Sequence, residues 1–411
     1  MHILLIHQYF LEDNGGGGSR WNEISRMWLA EEHQVTVLAG TGHYMRQENN
    51  KNDRFFDRNV NSNSVKVIRC YVSRRYHAGF AGRLWAYFSF TFSATLGGIF
   101  YARDPYDLVV VTSPPLLAGI SGLVISWCKR IPLVLEIRDL WPESAIDTGV
   151  LQNTFLIRMS YWLENQLYRK ANFINVLTPA FREVLINQKK IQHSKIIVVP
   201  NAADFSLSEH LLQHFDREAF RRKLNLENKF VVIYVGAHGV ANHLIQILET
   251  ADLLRDTHVV FLLVGDGRQK KQLMEEADKR QLNNVRFQDP VSKSEVFKYI
   301  LAADIGASVL KKADTFKTIY SNKTFDYFSC KKPVLMAIDG ISRQLIEDAA
   351  AGVFVEPENP ADFACKIREY MNDPVRCSNE GENGYHFART HFDREVLAKK
   401  YLEHLLALCK E

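Results

Sequence analysis

Short apolar runs rich in β-branched residues recur along the whole chain, and helical spacing fills the gaps between them. This alternation limits the fold more than any other feature. A first series lies at 2–7, 35–39, 65–70, 108–112, 133–137, 173–177 and 196–199. A second lies at 230–235, 259–264, 285–288, 305–308, 334–337 and 353–355. Runs without a polar side suit strands buried on both faces of a parallel sheet. Helices between such strands make repeated βαβ units. The two series are similar in size, and a polar stretch at 200–226 separates them as a linker with an entry helix. The expected fold is α/β, with two doubly wound Rossmann-like domains, and 411 residues suffice for two cores. Ligands bind beyond the carboxyl ends of open α/β sheets, so two such domains facing each other would place a substrate cleft between them.

Composition narrows the partners. A net charge of +4 is too small for a dedicated nucleic-acid binder, and it suits phosphates or an anionic membrane. Six cysteines, none in a C-x-x-C pair, read as buried thiols of a reduced cytoplasmic protein. Residues 1–7 lack the basic start and long apolar core of a signal peptide and read as a strand. Between Arg83 and Arg103 no charge occurs, and 84–102 has the length that spans a bilayer. Ser89, Thr91, Ser93, Thr95, Gly97 and Gly98 dilute its hydrophobicity. Three placements stay open: a helix that crosses a membrane, a helix lying in a membrane surface, served by Arg83, Trp85, Phe88 and Phe92, or a helix packed on the first sheet.

Several clusters could carry chemistry. Gly15, Gly16, Gly17 and Gly18 follow the first strand and precede a helix, an arrangement that lets a phosphate approach the backbone; a surface loop is the plain alternative. Gly236, Ala237, His238 and Gly239 repeat it in the second half. His238 and His243 lack an acidic or thiol neighbour, so capping or phosphate contact is expected of them, not metal binding. Asp266 reads as an N-cap. Arg138 and Asp139 fall just past the end of a buried strand, where they would meet a ligand or close the loop as an ion pair. A helix beginning near Ser321 would put Asn322 and Lys323 at its N-terminus and Asp326 one turn on. Lys323 could then neutralise a diphosphate while Asp326 takes ribose hydroxyls, or the two could form a simple surface pair.

These residues are arranged as in a known family. Lys323-Thr324-Phe325-Asp326-Tyr327, followed by Cys330 to Leu335, resembles the S-K-x-F-E-Y-x-x-x-G-x-P-V-L signature of family-4 retaining glycosyltransferases of the GT-B fold. Gly352 with Val355-Glu356-Pro357 resembles the closing G-x-x-V-x-P, and Val264-Gly265-Asp266-Gly267 and Pro200-Asn201 also match. Glu136-Ile137-Arg138-Asp139-Leu140-Trp141-Pro142-Glu143-Ser144 resembles the E-x-R-D-L-W-P-E-S of a subgroup that includes N-acetyl-L-fucosaminyl transferases of O-antigen and capsule assembly.

The resemblance implies an acceptor-binding domain over 1–203, a nucleotide-sugar domain over 204–392, and a last helix at about 393–411 packed back on the first. It implies that Gly16 to Gly18 and Gly236 to Gly239 flank the donor diphosphate, with His238 in the second loop, and that Lys317 and Lys323 neutralise it. Asp326 would hold the ribose, beside Asn322. Arg138 and Asp139 would face the transferred sugar and the acceptor hydroxyl, and with Lys323 they are the candidate catalytic residues. The implied donor is a UDP-sugar, with no cofactor and no metal. The acceptor would be a polyprenyl-diphosphate-linked saccharide at the inner face of the cell membrane. The sequence departs from the pattern at two places. The family's E-x7-E pair becomes Thr318 and Asp326, and Ala241-Asn242-His243 replaces the usual Arg/Lys pair. A catalytically degenerate nucleotide-binding or scaffold protein is therefore the second reading. A nicotinamide oxidoreductase is disfavoured, because Val37-Leu38-Ala39-Gly40 ends the second strand without a ribose-binding acid.

Overall fold

The computed structural model describes residues 1–12, 19–41, 54–61, 63–77 and 79–410. Its contacts divide the chain into two compact units: one holds the N-terminal strand, Ser19–Pro200 and the residues from Glu395 onward, the other Asn201–Arg394.

The first unit is built on an eight-stranded sheet. Its strands are β1 (His2–Ile6), β2 (Gln34–Gly40), β3 (Phe56–Val60), β4 (Lys66–Cys70), β5 (Leu108–Ser113), β6 (Leu133–Ile137), β7 (Phe173–Val176) and β8 (Ile196–Val198), in the order β3-β4-β2-β1-β5-β6-β7-β8. Every pairing is parallel except β3 with β4. Strand β3 escapes the apolar pattern. Its Phe-Asp-Arg-Asn-Val sequence is largely exposed, and it holds the edge by hydrogen bonds to β4 rather than by burial. Strand order reverses between β1 and β5, so the carboxyl ends of β1, β5 and β6 form the place where such sheets take ligands.

A buried acid organises this unit. Glu136 is a lone carboxylate in the apolar run Leu-Val-Leu-Glu-Ile of β6, and none of it is exposed. Arg20, the first residue of the helix Arg20–Ala30, pairs with it at 3.1 Å, and Asn175 on β7 donates to the same oxygen at 3.0 Å. The guanidinium also donates to the carbonyls of Val199 and Pro200 at 2.9 and 2.6 Å. One charge pair thus ties a helix to two strands and to the segment leaving the sheet. On that same helix Trp21 and Trp28 pack against Tyr401, and Trp28 donates to the Ala398 carbonyl at 2.9 Å, which seats the C-terminal helix on this unit.

In the second unit β9 (Phe230–Val235), β10 (Val259–Val264), β11 (Val285–Gln288), β12 (Ile305–Val309), β13 (Val334–Ala337) and β14 (Gly352–Phe354) pair in parallel, in the order β11-β10-β9-β12-β13-β14. Val231 and Ile233 enter one core while Val232 and Tyr234 enter another. Both faces of the sheet are covered, which is why these strands read as unbroken apolar runs. The stretch after Pro200 opens this unit with the helices Phe205–His214 and Arg217–Lys223, capped by Asp204 and Asp216. Both units are Rossmann-like α/β folds, as the alternation of runs leads one to expect.

Because Glu136 has no solvent to fall back on, Arg20→Leu is expected to cost about 3–5 kcal/mol of stability in urea denaturation. Lys66→Ala, which breaks an exposed pair with Asp104, is expected to cost less than about 1 kcal/mol.

Candidate functional site

Three glycines shape the carboxyl edge of the second sheet. Gly236 after β9 has φ +137°, and Gly265 and Gly267 after β10 have φ +147° and +157°. The two turns interlock: a Cβ on Gly265 would stand 1.9 Å from the Gly236 carbonyl oxygen. The His238 N–H donates to the Asp266 carbonyl at 2.8 Å, and the His238 carbonyl accepts from Gln269 at 2.9 Å. Asp266 therefore does not cap a helix. Its carboxylate accepts from Gly267 at 2.8 Å, and the helix Lys270–Lys279 starts only beyond the positive-φ Gly267, with Gln269 at its N-cap.

The His238 side chain is fully buried between the rings of Tyr234 and Phe287, at 6.0 and 6.2 Å. Burial, helped by the Lys270 charge, brings its pKa down to about 4. The imidazole is neutral at pH 7, so it offers a phosphate no charge; its main chain joins the two loops instead.

The helix Asn322–Ser329 starts where its sequence suggests. Ser321 stands in the extended N-cap conformation, but its hydroxyl does not cap the helix; it accepts from Ser308 of β12 at 2.6 Å. Tyr327 fixes the helix from below. Its hydroxyl accepts the Val235 N–H at 3.1 Å and donates to the Ala307 carbonyl at 3.1 Å. The ring sits where a Cβ on Gly306 would be, only 2.3 Å away. With the helix so held, Lys323 in its first turn reaches Gly236. The Lys323 Cε lies 3.6 Å from where a Gly236 Cβ would stand, and Nζ lies 5.0 Å from the Tyr234 ring centroid. Desolvation lowers its pKa to about 8, against the opposing pull of Asp326. Asn322 is exposed at the first helical position.

Asp326 does not form the surface pair with Lys323. It accepts instead from Lys293 at 2.6 Å. Lys293 drew no attention in the sequence, because it opens a different helix, Lys293–Ala302, 33 residues away. Lys317 is exposed on the 3-10 turn Asp314–Thr318 and pairs with Asp314 at 2.8 Å. The Thr318 hydroxyl, where the signature has an acid, donates to the Thr315 carbonyl at 2.6 Å. Gly16, Gly17 and Gly18 lie outside the described residues.

In the first unit, Arg138 and Asp139 stand past the end of β6. Arg138 approaches His7 Nε2 at 3.4 Å, and the other nitrogen of this buried histidine lies 2.8 Å from the Thr112 hydroxyl of β5. Asp139 accepts from Ser144 at 2.6 Å, and burial raises its pKa to about 6. Among the described residues it makes no ion pair, so the loop is closed by the Ser144 hydroxyl and not by Arg138. Nearby, Lys189 bridges Glu143 and Glu164 at 2.5 and 2.7 Å.

The charge-free segment forms the helix Gly79–Leu96 and a π turn, Gly97–Tyr101. Ala86, Phe90 and Ala94 pack inward, while Trp85, Phe88 and Phe92 are each more than half exposed, with Arg83 partly buried. Among the described residues no helix is long and apolar enough to cross a membrane.

Comparison with known proteins gives two family matches in succession. Residues 15–202 match the glycosyl transferase 4-like domain, and residues 216–387 match glycosyl transferases group 1. The Escherichia coli K12 protein named for colanic acid biosynthesis, the glycosyl transferase WcaI, is 20% identical over 98% of this chain and 99% of its own. Among solved structures, HepE of Anabaena in complex with UDP-glucose aligns with a TM-score of 0.73 at 18% identity, over 99% of this chain and 100% of its own. Sucrose-phosphate synthase from Thermosynechococcus elongatus aligns with a TM-score of 0.74 at 16% identity, over 99% and 98%. At such identities the structural likeness is one of fold.

Proposed function

Built of a glycosyl transferase 4-like domain followed by a glycosyl transferases group 1 domain, the chain is a glycosyltransferase of the GT-B type, and from that premise we propose that it moves a sugar from a nucleotide diphosphate to a lipid-linked saccharide. One observation carries the donor half of this reading: Lys323, in the first turn of a helix, held over the Gly236 turn. A cation and a helix N-terminus together favour a developing diphosphate charge. Asp326, one turn further on, is suited to the ribose hydroxyls. A UDP-sugar fits the UDP-glucose bound by HepE, and the resemblance around Glu136 to Ser144 favours an N-acetylated aminosugar. The polysaccharide role named for WcaI supports a saccharide acceptor.

The chemistry we assign is transfer with retention on the donor's front face. The departing phosphate takes the acceptor proton, and the protein contributes position and charge. Lys323 would offset the leaving group without a metal. Arg138, approached by His7, and Asp139 would meet the transferred sugar and the acceptor hydroxyl. The alternative of a degenerate nucleotide binder draws on one observation, the Thr318 hydroxyl in place of an acid.

A membrane surface is the proposed seat of the acceptor, on the inner face. Besides Trp85, Phe88 and Phe92, the first unit exposes Trp127 on the helix Ala118–Lys129, and Phe155 and Trp162 on the helix Thr154–Lys170. The helix Gly79–Leu96 packs beside Ala118–Lys129. Across these three helices the single acid, Glu164, is buried, whereas Arg158, Arg169 and Lys170 are exposed. Aromatic rings with cations and no exposed acid suit an anionic interface.

Three outcomes test the proposal. Nucleotide release from a panel of UDP-sugars, with a polyprenyl-diphosphate saccharide present, is expected to fall about 100-fold or more in Asp326→Ala while the chain stays folded; release at the wild-type rate would refute the site. UDP affinity is expected to weaken as pH rises through about 8, because the low Lys323 pKa means its charge is lost there, and Lys323→Arg should remove that fall. The double variant Phe88→Ser, Phe92→Ser is expected to lose cosedimentation with anionic vesicles while staying folded.

A further inference from the structure

We infer that Lys293 is a positioning residue of the nucleotide site, holding the Asp326 carboxylate for the ribose hydroxyls of the donor. The inference rests on the proposed role of Asp326 and goes beyond it to a residue outside the signature.

Two crossover helices meet at this point. Lys293–Ala302 follows the carboxyl end of β11, and Asn322–Ser329 follows that of β12. Phe297 of the first and Phe325 and Phe328 of the second lie in one core, so the two helices are fixed relative to each other. Lys293 Nζ donates across them to Asp326 Oδ1 at 2.6 Å. The side chains of the pair are only 23% and 18% exposed, which makes this a partly desolvated, charge-assisted bond and not a mobile surface pair.

Lys293 is itself well held. Ser292 caps its helix, accepting from the Glu295 N–H, and the ammonium lies 5.2 Å from the Phe297 ring centroid, one turn on. Its neighbours in the same helix make local pairs, as Lys298 does with Glu295. Lys293 alone of these reaches into the next helix, three residues beyond Lys323. The signature acid at this place is a glutamate, and Asp326 is one methylene shorter. A shorter carboxylate has less reach and fewer rotamers with which to find a diol, so a fixed ammonium on one oxygen orients the group before the ligand arrives.

Calorimetric titration of the full chain with UDP, 2′-deoxy-UDP and 3′-deoxy-UDP tests this. Lys293→Met is expected to raise the Kd for UDP about tenfold, the loss of one charge-assisted bond. It should also shrink the preference for UDP over both deoxy analogues, and Lys293→Arg should restore most of each. In an Asp326→Ala background, Lys293→Met should add nothing, since the two act through one carboxylate. Undiminished discrimination in Lys293→Met, tighter UDP binding in it, or a full further loss in the Asp326→Ala background would overturn the inference while leaving Asp326 in place. If Asp326→Ala itself binds UDP as the wild type does, or the wild type does not bind UDP, the ribose reading fails first and the inference with it.

Discussion

The phenolic hydroxyl of Tyr327 is the point on which the proposed donor site depends. It takes the Val235 N–H at the end of β9 and gives its proton to Ala307 on β12, with its ring filling the space that Gly306 leaves open. A buried hydroxyl satisfied on both sides by main chain permits one placement of the helix that carries it. That placement puts Lys323 against the Gly236 turn, and it brings Asp326 to Lys293. A tyrosine locked into the sheet thus sets the positions of the groups proposed to meet diphosphate and ribose, and of the residue inferred to steady one of them.

The first unit solves a related problem with charge. Glu136 and Arg20 are buried where neither could stand alone, and their pairing joins the first helix to β6, β7 and the outgoing segment. Two residues beyond Glu136 comes Arg138, so the loop that carries the candidate acceptor residues departs from a strand that is anchored internally. His7, just past the end of β1, and Thr112 of β5 stand beside it at the place where the strand order reverses. Both units follow the same plan, in which a hydrogen-bonded buried polar group anchors a strand and the candidate functional residues are set just beyond it.

The strands were legible because a parallel sheet covered on both faces demands unbroken apolar runs. Strand β3 was not, because Asp57, Arg58 and Asn59 contribute hydrogen bonds at an edge and little burial. Glu136 is a single acid inside such a run and so needs a buried partner, but nothing local names Arg20, which lies 116 residues away. The contact between Lys293 and Asp326 had no such mark, as it depends on how two crossover helices pack in one core. The neutrality of His238 follows from burial between two rings, and no local pattern reports that. Asp266 is no cap because a positive-φ glycine follows it and the helix starts only at Lys270. Local chemistry was therefore readable where the backbone alone decides it, and hidden where side chains from distant segments converge.

The activity proposed for the chain is transfer of a sugar from a nucleotide diphosphate held by its second unit. Proton NMR of a reaction mixture, containing the protein, UDP-sugars and a polyprenyl-diphosphate saccharide, follows nucleotide release and the new anomeric signal together. Release of UDP that requires the acceptor is expected, with a product whose anomeric coupling matches that of the donor. Tight UDP binding with no transfer from any donor would contradict it and identify the chain as a nucleotide-holding relative of the transferases.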